Sequence, residues 1–256
     1  MLNREREVAV GMVLARRMHL YSLMHLAFGS RPTAESVGKM LSVEAGASFG
    51  FVNELLASDG CEDIARRTVG SCGSTIAACV DEAIACIERG ERGLEDPARA
   101  RELVGNLRSD YDKLFQVPGR LYVHPWESPY TSEDSMVFRE STLDVRSFYH
   151  DAGFKLQVEK RFPDDHIAAM MDYMGRMGHR AYEAFADGRD DEALRTLAVQ
   201  RCFADRHILT WVDRFADKVM GNDARGCYGA FAGGMAAFAF LDAALVDRLE
   251  KELVAR

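Results

Sequence analysis

The sequence lacks most of the features that announce a chemistry. Its six cysteines, Cys61, Cys72, Cys79, Cys86, Cys202 and Cys227, include no C-x-x-C pair, and no Cys/His cluster has zinc-finger spacing. That excludes the familiar small metal folds. No Gly-x-Ser-x-Gly elbow is present, so a strained nucleophilic serine is not expected. No G-x-x-x-x-G-K-[ST] loop is present either, which removes the commonest phosphate cradle. Basic excess is missing: 32 Lys and Arg stand against 40 Asp and Glu, a formal net charge of -8, which is the wrong sign for a nucleic-acid face.

Targeting and membrane signals are also weak. Arg4 and Arg6 are offset by Glu5 and Glu7, and the apolar run 8–15 is short, so no secretory signal is expected. Arg16-Arg17 follows that run instead of preceding one and is no export signal of its own. The longest apolar run, Cys227–Leu241, is broken by Asp242. A membrane span needs roughly 20 apolar residues, so this run reads as a buried helix. Cys72, Cys79 and Cys86 are spaced by seven and would share one helical face as buried free thiols, which points to the cytoplasm.

No stretch alternates apolar and polar residues at a period of two, and no repeat or low-complexity tract is visible. What is there is helical periodicity. A first helix is expected over 4–28, with Val10, Val13, Leu14, Tyr21, Met24 and Phe28 on one stripe. A second follows from Thr33, its cap. The apolar positions between Ile64 and Glu88 carry another, split near Gly70 and Gly73, and a turn is expected over Glu88–Glu95. Asp96-Pro97 restarts a helix that Pro118-Gly119 ends. Three of the six prolines then fall together, at Pro118, Pro125 and Pro129, which makes 117–130 a stiff connector. The reading is therefore an all-α bundle: an N-terminal half over 1–116, the Pro-rich connector, and a C-terminal half over 131–256.

The second half resumes with a helix over 139–151 and a short exposed segment over 154–161. The next stretch, Phe162-Pro163-Asp164-Asp165-His166-Ile167, opens a helix at Pro163, where a missing N–H costs nothing and acidic residues suit the first turn. Two carboxylates beside an imidazole could equally hold a cation. Met170, Met171, Met174 and Met177 continue the apolar stripe. Further helices are expected over 191–218, with a break near Ala204, and after a loop at 221–226. In the last one, Gly233-Gly234 calls for close approach of a neighbour. Trp126 is either a plug for the core or a binding hot spot. The remaining histidines are scattered, but His150-Asp151 is an HD dipeptide of the kind used by helical metal-dependent phosphohydrolases. An adaptor without chemistry is a further alternative.

Several segments occur in a telling order: Tyr111–Phe115 with Pro118-Gly119, then Pro125-Trp126-Glu127-Ser128-Pro129-Tyr130, Ser141–Arg146, and Pro163-Asp164-Asp165-His166. This set resembles the TorD/DmsD-type chaperones of molybdoenzyme maturation, relatives of the NarJ group. The likeness continues more weakly through 203–211, an F-x-x-x-H-L-x-x-W-like pattern. The resemblance implies an all-helical cytoplasmic chaperone, not an enzyme, with no cofactor. Its implied partners are the twin-arginine leader and apo-subunit of a molybdenum oxidoreductase, bound before molybdopterin insertion and export, with the chaperone monomeric or a domain-exchanged dimer. The implied peptide-binding residues are Trp126, Glu127, Tyr130, Asp164, Asp165 and His166, with His207 and Trp211 as secondary candidates. Carboxylates accept guanidinium forks bidentately, so an anionic notch beside an apolar groove at Trp126, Tyr130 and Met170/Met171 is the expected geometry.

Overall fold

The computed structural model describes residues 2–58, 60–71, 73–131, 140–154 and 163–254. Of the expected exposed segment over 154–161, all but Phe154 lies outside them. Helices α1 (Leu2–Gly29), α2 (Ala34–Met40) and α3 (Val43–Leu56) follow one another closely. Thr33 starts α2 through a reciprocal capping box with Ser36, and Ser42 starts α3 by accepting from the Ala45 N–H. A short α4 (Glu62–Arg66) leads into a two-stranded antiparallel hairpin, β1 (Thr68–Val69) and β2 (Ser74–Thr75), with Thr68 opposite Thr75. The split expected at Gly70 and Gly73 is thus a β-turn excursion: both glycines take positive φ, 61° and 76°.

Thr75 caps α5 (Ile76–Leu94), which runs straight through the turn expected at 88–95. Gly90 and Gly93 look like breakers in the sequence, but a Cβ at Gly90 would lie 2.6 Å from Leu41 Cδ1, so the glycine is there to admit α2. Asp96 accepts from the Ala98 and Arg99 N–H groups and begins α6 (Pro97–Tyr111), which closes in a π-helical turn over Asp112–Gln116. After the connector come α7 (Ser128–Thr131), α8 (Glu140–Asp151), α9 (Ile167–Ala186), α10 (Asp190–His207), α11 (Val212–Asn222) and α12 (Cys227–Val254). The break in the 191–218 stretch falls at 208–211.

Helices from both expected halves share one core. α1 lies along α9, and α5 along α12, so neither half packs only on itself. Methionines 170, 171, 174 and 177 are core residues, and so are Phe28, Phe49, Phe115, Phe215 and Tyr228. α12 is long and apolar enough to cross a membrane by length and composition, but it is mostly buried inside the bundle. A Cβ at Gly234 would meet Phe49 Cε1 at 2.7 Å and Ala83 Cβ at 3.0 Å, which explains the glycine pair within it.

One buried polar layer interrupts this apolar interior. Arg17 on α1 and Asp242 on α12, both nearly without exposure, form a bidentate ion pair, with Arg17 Nη2 2.9 Å from Asp242 Oδ2. Tyr21 donates to the same oxygen at 2.6 Å. Gln200 of α10 sits 3.4 Å from the guanidinium and donates to the Met174 carbonyl of α9 at 2.8 Å. Burial alone would weaken the Arg17 proton, yet Asp242 holds it more firmly than usual. Burial pushes the Tyr21 hydroxyl well up, so it stays a donor. Four helices are therefore fixed in register by one group. Removing one partner of a buried pair leaves an uncompensated charge, so Arg17→Met should lower the unfolding free energy by about 3–5 kcal/mol, and Arg17→Met with Asp242→Leu should recover much of that loss. Urea unfolding of both variants is the measurement; a double mutant no more stable than the single one counts against this account.

Candidate functional site

The connector sets the site. Along residues 122–126 buried and more exposed side chains alternate. Val123 and Pro125 point inward and are buried, while Tyr122, His124 and Trp126 share the outer face. Their rings touch in sequence: Tyr122 and His124 at 4.9 Å, then His124 and Trp126 at 5.9 Å. The strand then pairs antiparallel with the Asp164–His166 turn. Ile167 N donates to the Pro125 carbonyl at 2.8 Å, and Glu127 N to the Asp165 carbonyl at 3.1 Å. Trp126 and His166 face each other across this bridge, with ring centroids 5.9 Å apart and edge to face.

This pairing moves the start of α9. The sequence places it at Pro163; the structure places it at Ile167, with His166 as the cap whose Nδ1 accepts from Ala168 N at 3.1 Å. Pro163, Asp164 and Asp165 are taken up in the turn before it because their carboxylates have other partners. Asp165 accepts from the Ser128 N–H at 3.0 Å and its hydroxyl at 2.6 Å, and so starts α7. Asp164 holds Arg146 of α8 at 2.6 Å, while its carbonyl accepts from the Tyr149 hydroxyl at 3.1 Å. Both side chains are buried.

Glu127 is buried too, and it faces His207. His207 Nδ1 lies 3.1 Å from Glu127 Oε2, and Nε2 lies 2.8 Å from Asp144 Oδ2. Arg206 also pairs with Asp144. A neutral imidazole has one N–H, so filling both contacts takes one further proton, on the ring or on Glu127. Burial raises the Glu127 pKa, against the lowering effect of the His207 contact. The His207 carbonyl accepts from Trp211 Nε1 at 2.6 Å, and Trp211 packs on Tyr130 with centroids 5.1 Å apart. The Tyr130 hydroxyl returns to the connector at the His124 carbonyl, 2.9 Å away.

The eight residues expected from the sequence are thus brought together, but not as a notch of free carboxylates. Asp164, Asp165 and Glu127 are internal struts, Tyr130, His207 and Trp211 are buried, and Met170 and Met171 lie in the core instead of lining a groove. Trp126 and His166 keep exposed surface, joined by Tyr122 and His124. Among the described residues, Trp126 Nε1 and Asp165 Oδ1 have no hydrogen-bond partner. Ser128, Asp144 and Arg146 complete the interlock. Sequence reasoning passed over their roles, although all three fall inside the segments that carried the resemblance. His150-Asp151 ends α8, and no group of three or more His, Cys, Asp or Glu able to hold a metal ion exists among the described residues.

An all-helical bundle in which a connector strand, a Pro-Asp-Asp-His turn and a His-x-x-x-Trp helix end lock together is a recognisable class. The chain belongs to the family described as Nitrate reductase delta subunit, whose model matches residues 80–217, a little over half of the chain and every segment of the interlock. Among curated relatives, the Chaperone protein TorD of Vibrio parahaemolyticus is 26% identical over 138 residues, 54% of this chain and 63% of that protein. TorD of a Vibrio cholerae strain is 28% identical over 146 residues, 57% of this chain and 64% of that protein. TorD of a Vibrio vulnificus strain is 23% identical over 227 residues, 89% and 93% of the two chains. The chain thus spans less than two thirds of the length of the first two relatives.

Burial pulls the His166 pKa down from 6.5 to about 4, with His25 adding to the effect. Between those values the unfolded chain binds the proton and the folded one does not, so stability is complete above about 6.5 and falls as pH drops toward 4. His166→Asn keeps an acceptor for Ala168 N and removes the titration. Thermal midpoints across this range should drop less on acidification for the variant; parallel curves would show that His166 is not the group.

Proposed function

We propose that this protein is a cytoplasmic maturation chaperone for a molybdopterin-containing oxidoreductase. It binds the twin-arginine leader and the apo catalytic subunit before cofactor insertion and export, and it performs no catalysis of its own. The observation that carries this reading is the convergence, around one half-buried aromatic rim, of segments that resemble the TorD group. The relatives' printed name, chaperone, supports it.

The roles within the site differ from a carboxylate clamp. Trp126 and His166 meet the peptide, with Tyr122 and His124 extending the rim. A guanidinium stacks favourably on an indole face. Glu127, Tyr130, Asp164, Asp165, His207 and Trp211 position that rim from beneath. Beneath the rim, Trp126 Nε1 and Asp165 Oδ1 are a buried donor and a buried acceptor without partners. A leader that orders on binding loses entropy, so affinity is moderate, as suits a partner that must be released. The net charge of -8 favours encounter with a cationic leader.

The test is calorimetry with a synthetic twin-arginine leader. Trp126→Ala should weaken binding at least tenfold, about 1.4 kcal/mol, at unchanged helicity. Asp165→Asn should lower stability as well as binding, because it loosens the start of α7. Leader affinity unaltered in Trp126→Ala and in His166→Asn would remove this rim as the site. Co-purification from the native cytoplasm would name the client.

A further inference from the structure

We propose that a basic pocket between the end of α8 and one face of α9 binds the carboxylate of an aromatic acid, free or at the end of a polypeptide. A cavity of about 390 Å³ opens there, within the size range of small-molecule sites. Its α9 wall carries Tyr173, Arg176, Met177 and Arg180, whose spacing puts them on one helical face. Phe154, just beyond the end of α8, adds a second wall. The lining includes three basic side chains, Arg176, His179 and Arg180, and no acidic one, although the chain as a whole carries a net charge of -8. None of these residues belongs to the Trp126 rim, so the pocket stands apart from the function proposed above.

The fold leaves two polar groups of this pocket with bonds to spare. The first is the Tyr173 hydroxyl. The rings of Tyr149, Phe154 and Phe203 pack on the Tyr173 ring, with centroids 5.0, 5.7 and 4.6 Å away. The residue is fully buried, yet its hydroxyl has no hydrogen-bond partner. A buried hydroxyl left unpaired is costly, so one retained here calls for an acceptor. Burial pushes its pKa up to about 12, with Arg180 acting against the shift and Asp151 with it, so the group is a donor at neutral pH. The second is the Arg180 guanidinium. Arg176 pairs with Asp172 at 3.1 Å, and His179 faces Glu183 at 3.3 Å. Arg180 instead donates to the neutral Ala152 carbonyl at 3.2 Å and forms no ion pair among the described residues. That bond caps the end of α8 and uses one N–H of a five-donor fork. A carboxylate suits what remains: it takes N–H groups from Arg180 and accepts from the Tyr173 hydroxyl. Phe154, Tyr173 and Met177 supply apolar surface for an aromatic body. Arg176 lies over the Phe154 ring at 5.3 Å and steadies that wall.

The test is methionine methyl NMR of the full chain, titrated with phenylacetate and with phenylacetamide, its uncharged counterpart. Met177 lines the pocket and reports binding there, while exposed Met12 is the control. The expected result is a saturable shift at Met177, with phenylacetate bound at least about tenfold more tightly than phenylacetamide. Arg180→Gln should weaken phenylacetate by a similar factor. Tyr173→Phe should weaken it several-fold without lowering the thermal midpoint, since the hydroxyl has no bond within the protein to lose. A short peptide ending in phenylalanine separates the two sources of such a carboxylate: tighter binding than phenylacetate assigns the seat to a polypeptide terminus, weaker binding to a free acid. Equal affinity for acid and amide, no saturable shift at Met177, or unchanged phenylacetate affinity in Tyr173→Phe and Arg180→Gln overturns the proposal. The Tyr173→Phe result decides even if Arg180→Gln does not fold.

Discussion

The Arg17–Asp242 ion pair is the constraint on which the bundle depends. Two charges removed from water stay ionised only if each satisfies the other, and Tyr21 and Gln200 complete the arrangement. Apolar faces tolerate sliding by a turn; a bidentate pair does not. Because the layer ties α1 to α12 directly and to α9 and α10 through Gln200, it fixes where α9 begins relative to its neighbours. The His166 cap and everything attached to it inherit that position. A buried pair of this kind contributes register more surely than it contributes stability.

The site repeats the same device nearer the surface. Three acidic side chains that look available in the sequence are each occupied: Asp165 by Ser128, Asp164 by Arg146, Glu127 by His207. The connector has little regular structure of its own, so these contacts and a single β-bridge hold it. The rigidity of the Trp126 rim thus comes from below, through buried hydrogen bonds whose loss would leave unsatisfied polar groups. A surface built this way changes when its struts change, even where the struts themselves are buried.

Much of the fold was legible because helix signals are local. Thr33, Ser42, Thr75 and Asp96 each begin a helix by a side-chain hydrogen bond that spans two or three residues, and the sequence marks Thr33 and Asp96 as starts directly. Errors arose where tertiary contact overrode local chemistry. Gly90 looks like a turn until Leu41 is placed against it, and Pro163 looks like a first helical residue until Asp165 is given to Ser128. The sequence also showed Arg17 and Asp242 as anomalies: one in an arginine pair that served no export role, the other a charge breaking an apolar run. Nothing within a window of neighbouring residues could join them, since they lie at opposite ends of the chain. For the same reason the candidate site residues were found as a group but given the wrong exposure: a carboxylate's partners are not adjacent to it in sequence.

The polar layer also divides the interior. On one side lies the large cluster with the aromatic residues; on the other, Val10 and Leu14 of α1, Ala181 and Phe185 of α9, Leu197 of α10 and Val246 and Leu249 of α12 form a smaller cluster of their own. Such a satellite is much smaller than the main cluster and has less packing to lose. It is suited to open as a separate cooperative unit while the rest of the molecule stays closed. Amide protons at that pole would then exchange through sub-global opening, so the protein could yield at one end and keep the Trp126 rim intact at the other.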